Sequence, residues 1–123
     1  MIQIDTSALI DALTGPRRSL PRLRQLIQDG EKIGLTTLVL FEWRRGPRLP
    51  QEVADQETLF PAADAIPFET AEALLAAELY RNVKRPRGRE IDLAIASCAI
   101  AHNSALWTLN PVDFKDIPNL KLL

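Results

Sequence analysis

Residues 1–13 read MIQIDTSALIDAL: a short apolar segment, then an acid with two hydroxyls, then an apolar run at helical spacing. MIQI reads as a strand ending at Asp5. Asp5, Thr6 or Ser7 then caps a helix through Leu13, stopped by TGPR. A carboxylate is thereby set where a buried strand ends. Helix capping is the ordinary explanation, and Asp does it well.

The same alternation continues along the chain. A helix is expected over Ser19–Gln28, with Pro21 tolerated in its first turn and Gly30 after its end. KIGL (32–35) reads as a strand, and Thr36 or Thr37 caps the helix that follows, which ends near Gly46. Gln51–Leu59 is a further helix. AIPF (65–68) reads as a short strand limited by Pro67 to an edge. A long helix starts at Thr70 and closes at Pro86 and Gly88. EIDLAIASCAIAHN (90–103) is an almost wholly apolar helix, ALWTL (105–109) a strand, and LKLL (120–123) a last short strand. Short apolar strands alternating with helices predict one α/β domain over 1–123, with a parallel sheet covered on both faces. Folds of this kind bind ligands at the carboxyl ends of their strands.

Composition narrows the function classes. Of 123 residues, 46% are hydrophobic and 25% charged, which suits a folded domain rather than a disordered chain. Fifteen basic against sixteen acidic residues leave a net charge of −1, which argues against a strongly cationic nucleic-acid binder. Basic residues nonetheless gather at Arg17–Arg24, at Arg44–Arg48 and across RNVKRPRGR (81–89). The one cysteine, Cys98, excludes an internal disulfide and a multi-cysteine zinc site, and reads as a small buried thiol. No apolar stretch approaches a membrane span, and the first residues are too short and too acidic for a secretory leader, so a cytoplasmic protein is expected.

Four acids stand where acids are expensive. Asp5 ends the first strand. Glu42 shares a helix face with Leu38 and Val39, although a pairing with Arg45 would also account for it. Asp92 stacks with Ile95, Ala96 and Ala99 in a helix apolar almost all round, and a buried carboxylate needs a partner or a cation. Asp92 also lies in the first turn, where a helix N-terminus welcomes an acid. Asn110 and Asp113 follow the strand at ALWTL, in a turn that Asn-Pro alone would explain. If these positions converge, their repulsion calls for raised pKa values or a bound metal. An all-oxygen set suits Mg²⁺ or Mn²⁺ rather than zinc, and the chemistry pointed to is phosphodiester hydrolysis.

IDTSALIDAL (4–13), TTLVLFEWRRG (36–46), IDLAIASCAIAHNSALWTLNPVDF (91–114) and IPNLKLL (117–123), in this order, resemble the PIN-domain proteins, and closely the VapC-type toxins of toxin–antitoxin pairs. The resemblance spans essentially the whole chain. It implies a three-layer α/β/α fold with a central parallel sheet and an Mg²⁺- or Mn²⁺-binding acidic pocket. It further implies a ribonuclease inhibited by a VapB-type antitoxin, and often a homodimer. Asp5, Glu42 and Asp92 match the family's first three acids. Where many members carry a fourth acid this chain has Asn110, so Asp113 inherits that role. Thr6 or Ser7 matches the hydroxyl beside the first acid and would orient it. On this reading Asp5 and Asp92 are the principal ligands, Asp113 or Asn110 completes the site through water, and Glu42 ligates or orients the attacking water. The antitoxin groove would be lined by the early helices around Leu13–Ile27.

Two other functions fit these residues less well. An aspartyl phosphatase would need a second Asp two residues after Asp5, where Ser7 stands. A PIN-like module that only binds RNA or a protein is kept open by Asn110. Trp43 and Trp107 read as packing residues, and His102 as a helix-end residue facing the C-terminal dipole.

Overall fold

The computed structural model describes residues 1–123 throughout. Its centre is a four-stranded, wholly parallel sheet of order β2-β1-β3-β4. The chain forms β1 (Ile2–Ile4), α1 (Thr6–Leu13), α2 (Leu20–Gln28), β2 (Ile33–Gly34), α3 (Thr37–Arg45), α4 (Pro50–Leu59), α5 (Thr70–Asn82), α6 (Glu90–Ala101), β3 (Ala105–Trp107) and β4 (Lys121–Leu122). Short 3-10 turns lie at Ala62–Asp64 and Pro111–Asp113. Helix α1 packs with α2, α3 and α4, while α5 packs along α6. The predicted α/β class with a parallel central sheet is the observed one.

From β1 the chain runs outward in one direction to β2, then returns past β1 to β3 on its other side. The crevice at the carboxyl ends of β1 and β3 is therefore the point where strand order switches, the usual ligand position in such sheets. The register pairs Ile2 with Ala105, Gln3 with Leu106 and Ile4 with Trp107. One step further, the Asp5 N–H donates to the Trp107 carbonyl at 2.8 Å, so Asp5 and Thr108 leave the sheet side by side.

Alternation along so short a strand fixes which layer each side chain meets. Gln3 is fully buried and donates through Nε2 to the Cys98 carbonyl of α6 at 3.3 Å. Ile2 and Ile4 face the opposite layer. Trp43, Trp107 and Phe114 are the largest side chains sealed in the core. Truncating one of them to Ala costs about 3–5 kcal/mol. Cys98 is buried, and burial above all pushes its thiol up to about 11.

Thr36 caps α3, its hydroxyl accepting from the Val39 N–H at 3.2 Å. AIPF departs from expectation, because it makes one isolated parallel bridge, Thr36 to Ile66, rather than a strand. The Ile66 N–H reaches the Leu35 carbonyl and its own carbonyl receives the Thr37 N–H. Thr37 already begins α3, so no extended partner remains. The next donor, the Phe68 N–H, bonds to the Thr37 hydroxyl instead. No helix is long and apolar enough to cross a membrane.

Candidate active site

Asp5 occupies the N-cap position of α1 in extended backbone, yet its side chain makes no capping bond. It is instead 5% exposed and accepts from Thr108 Oγ1 at 2.7 Å and Ser7 Oγ at 2.9 Å. Both bonds fall on Oδ2, which leaves Oδ1 for another partner. The hydroxyls are themselves fixed. Ser7 Oγ accepts from the Leu109 N–H, and Thr108 Oγ1 accepts from the Asn110 N–H, each at 3.0 Å. Asn110 thus enters the network through its backbone.

Glu42, on α3, accepts from Thr6 Oγ1 at 2.7 Å and meets Arg45 at 3.4 Å. The hydroxyl next to the first acid therefore serves the second acid, and Ser7 serves the first. Glu42 thus faces Thr6 and still pairs with Arg45.

Asp92 lies in the first turn of α6, partly buried, with no side-chain hydrogen bond from the protein. Its carboxyl is pushed up to about 6, chiefly by burial and then by the charges of Asp5, Asp113 and Glu42, with Arg89 pulling the other way. The other three acids singled out in the sequence are therefore near enough for their charges to oppose that of Asp92. Asp113 lies exposed in the 3-10 turn after β3.

Two participants escape a reading by motif. Thr108 is the polar residue ending an apolar strand, and its equivalence in register to Asp5 would have marked it. Arg89 caps the pocket's rim. Its guanidinium forms a two-pronged pair with Asp116 at 2.6 and 3.0 Å and donates to the Asp113 carbonyl at 3.0 Å. The Arg89 charge is stabilised first by the bond to Asp116, and Asp116 is held below the usual carboxylate range by the same bond. Nothing in the sequence links residues so far apart.

The donor chemistry fits a hard divalent cation. Every candidate ligand is oxygen, and Asp92 has a carboxylate that burial and its neighbours leave without compensation. Nitrogen and sulfur are elsewhere: His102 caps the far end of α6, and Cys98 is sealed. No three acidic, His or Cys side chains already stand in a ligating arrangement. The long-range repulsion at Asp92 and this absence concern different distances. The first places the acids within electrostatic reach of Asp92, and the second means that they stand further apart than ligands of one ion would.

Acids gathered near the switch point of a short parallel sheet suggest a class, and the PIN-domain family profile matches residues 2–120. This chain belongs to the PIN-domain family. It is 32% identical over 120 residues to Ribonuclease VapC19 of Mycobacterium tuberculosis, covering 96% of this chain and 95% of that one. Among solved structures, VapBC2 from Rickettsia felis bound to a promoter DNA fragment matches with a TM-score of 0.75 and 25% identity, over 100% of this chain and 98% of that chain. FitAcB from Neisseria gonorrhoeae matches in fold with a TM-score of 0.75 at 22% identity, over 100% and 96% of the two chains.

Proposed function

We propose that the chain is a VapC-type endoribonuclease that uses Mg²⁺ or Mn²⁺ to hydrolyse RNA, the toxin of a toxin–antitoxin pair. The observation that carries this reading is the half-buried Asp92, without a hydrogen-bonding partner and opposed by the charges of Asp5, Asp113 and Glu42, beside an Asp5 held by Ser7 and Thr108. Likeness to a VapC ribonuclease along nearly its whole length supports it. Asp5 and Asp92 would hold the metal, with Asp113, or Asn110 through water, completing the set. When bound, the ion polarises a phosphoryl oxygen and steadies the leaving oxygen.

The chain's own residues supply the rest. Ser7 and Thr108 hold the Asp5 carboxylate in one orientation. Glu42, steadied by Thr6, ligates or orients the attacking water. Attack by water rather than by the ribose hydroxyl leaves a 5′-phosphate and a 3′-hydroxyl.

A VapB-type antitoxin is the natural partner. A groove lined by Leu13, Leu20, Leu23, Ile27 and Leu59, with Arg17 and Arg24 on its walls, runs beside the early helices and suits an amphipathic segment. A homodimer fits the exposed apolar face of Leu74 and Tyr80 on α5. Asn110, a neutral amide where the resemblance calls for an acid, favours one other reading, a module that binds without cleaving. Incubating purified, antitoxin-free protein with total RNA separates the two. Cleavage is expected with Mg²⁺ or Mn²⁺, and none with EDTA or after Asp5→Asn. Metal-independent cleavage would overturn the metal-dependent mechanism, and no cleavage together with no metal binding by calorimetry would overturn the nuclease reading.

A further inference from the structure

The three basic runs of the sequence meet different fates in the fold. In the first, Arg17 pairs with Asp55 at 3.0 Å and Arg22 lies over the Trp107 ring. In the second, Arg44 pairs with Glu57, Arg45 with Glu42, and Arg48 lies over the Trp43 ring. Five of the seven arginines in these two runs are thus engaged within the protein, and Arg18 and Arg24 are exposed without an ion pair on the helix side of the molecule. In the third, residues 81–89, only Arg89 forms an ion pair. Lys84, Arg85 and Arg87 are exposed and within ion-pairing distance of no carboxylate. Arg87 acts on one acid from beyond that distance. After the backbone amides of Glu90 and Gly88, it helps to hold the Glu90 carboxyl below its usual value.

The position of this turn matters more than its charge. It leads straight into α6, whose first turn carries Asp92. Arg89 then ties it to the other wall of the pocket, with Nη1 donating to the Lys84 carbonyl and Nη2 to the Asp113 carbonyl, each at 3.0 Å. One guanidinium therefore spans the cationic turn and the acid-bearing turn at Pro111–Asp113. A pocket of four carboxylates repels a polyanion. A substrate with regularly spaced phosphates approaches it most readily along an adjacent surface of unpaired positive charge.

We propose that the Lys84–Arg87 turn, clamped to the acid pocket by Arg89, is the surface that takes the RNA backbone phosphates flanking the scissile bond, an assignment that rests on the ribonuclease reading above. Contacts of this class fix register and carry no base selectivity. Arg81 is left out, since it lies at the end of α5 on the wall of an apolar groove with Tyr80 and Leu93.

The test compares wild type with a triple variant, Lys84→Ala, Arg85→Ala and Arg87→Ala, and with a control, Lys32→Ala and Lys121→Ala, that removes charge from the amino ends of the two edge strands, away from the acids. Binding of a fluorescein-labelled single-stranded RNA is followed by anisotropy in EDTA across a salt titration. KM and kcat are measured with Mg²⁺. The triple variant should flatten the salt dependence of the binding constant by about 2 in logarithmic slope, three contacts at about 0.7 each for a single strand, and raise KM about tenfold with kcat little changed. The control should match wild type in both. An unchanged slope and KM in the triple variant, whatever happens to a protein partner, overturns the assignment while the nuclease stands. So does an equal effect from the control, which would mean that net charge alone matters. A wild type that neither binds nor cleaves RNA overturns the ribonuclease reading and this surface with it.

Discussion

At the end of β1, Asp5 is 5% exposed and receives hydrogen bonds from Ser7 and Thr108; in the first turn of α6, Asp92 is half-buried and receives none. The strand side of the pocket is built from neutral hydroxyls that fix a carboxylate's direction without cancelling its charge. The helix side carries a carboxylate whose charge is opposed by burial and by three other acids. The contrast assigns different work to the two acids. Asp5 supplies orientation, and Asp92 supplies an electrostatic demand that a proton or a cation must meet.

The largest expected effect removes either acid. Asp5→Asn and Asp92→Asn should each lower kcat/KM toward RNA by about 10³-fold or more. A variant that kept most of its rate in a Mg²⁺ assay would break the contrast at that residue.

Next come the hydroxyls. Thr108→Val and Ser7→Ala leave every charge in place but release Asp5, and affinity for Mn²⁺ by calorimetry should weaken about 10–100-fold. Unchanged affinity would mean that the orientation of Asp5 is set elsewhere. Arg89→Lys keeps a positive charge but loses the fork that grips Asp116 and the Asp113 carbonyl at once. Its kcat/KM should fall about tenfold, since positioning rather than charge is lost; wild-type activity would show that charge alone suffices there.

The smallest effect concerns stability. With the folded Asp92 carboxyl at about 6 against an ordinary 3.8, the folded state holds more protons across that interval. The metal-free protein should therefore lose stability as pH rises through it. Asp92→Asn abolishes that loss. At neutral pH the variant should be about 1 kcal/mol more stable than wild type in urea titrations with EDTA, after allowing for solvent screening of a partly exposed group. Equal midpoints for the two proteins would show that Asp92 carries no such penalty.

The sequence disclosed most of the frame because the frame depends on local pattern. Apolar triplets such as ALW and helical runs such as EIDLAIASCAIA have one comfortable environment each, and their alternation leaves few topologies open. The acids were legible because each violates its surroundings, Asp92 most plainly. AIPF reads as a strand but forms only a bridge, because a strand needs a partner, and whether Thr37 stays extended or turns into α3 is decided outside those four residues. Thr108 and the Arg89–Asp116 pair were missed for a related reason. A threonine at a strand end and an arginine in a basic run are unremarkable until the register and the approach of the 3-10 turn give them neighbours. Thr6 and Ser7 were found as a pair, but which acid each serves follows only from how α1 and α3 pack.

Gln3 has a consequence of its own. Its strand is three residues long and could pair with β3 in a neighbouring frame at little cost in backbone bonds. A slip of one residue would carry the amide into the layer now filled by Ile2 and Ile4, stranding it from the Cys98 carbonyl and turning isoleucines toward α6. The glutamine discriminates among frames more than it strengthens the right one. Because it reads a backbone carbonyl, Cys98 can be exchanged for Ala without disturbing the choice. The protein can thus be made free of thiols, and a reporter cysteine placed at will, with the sheet still closing in the frame that sets Asp5 beside Thr108.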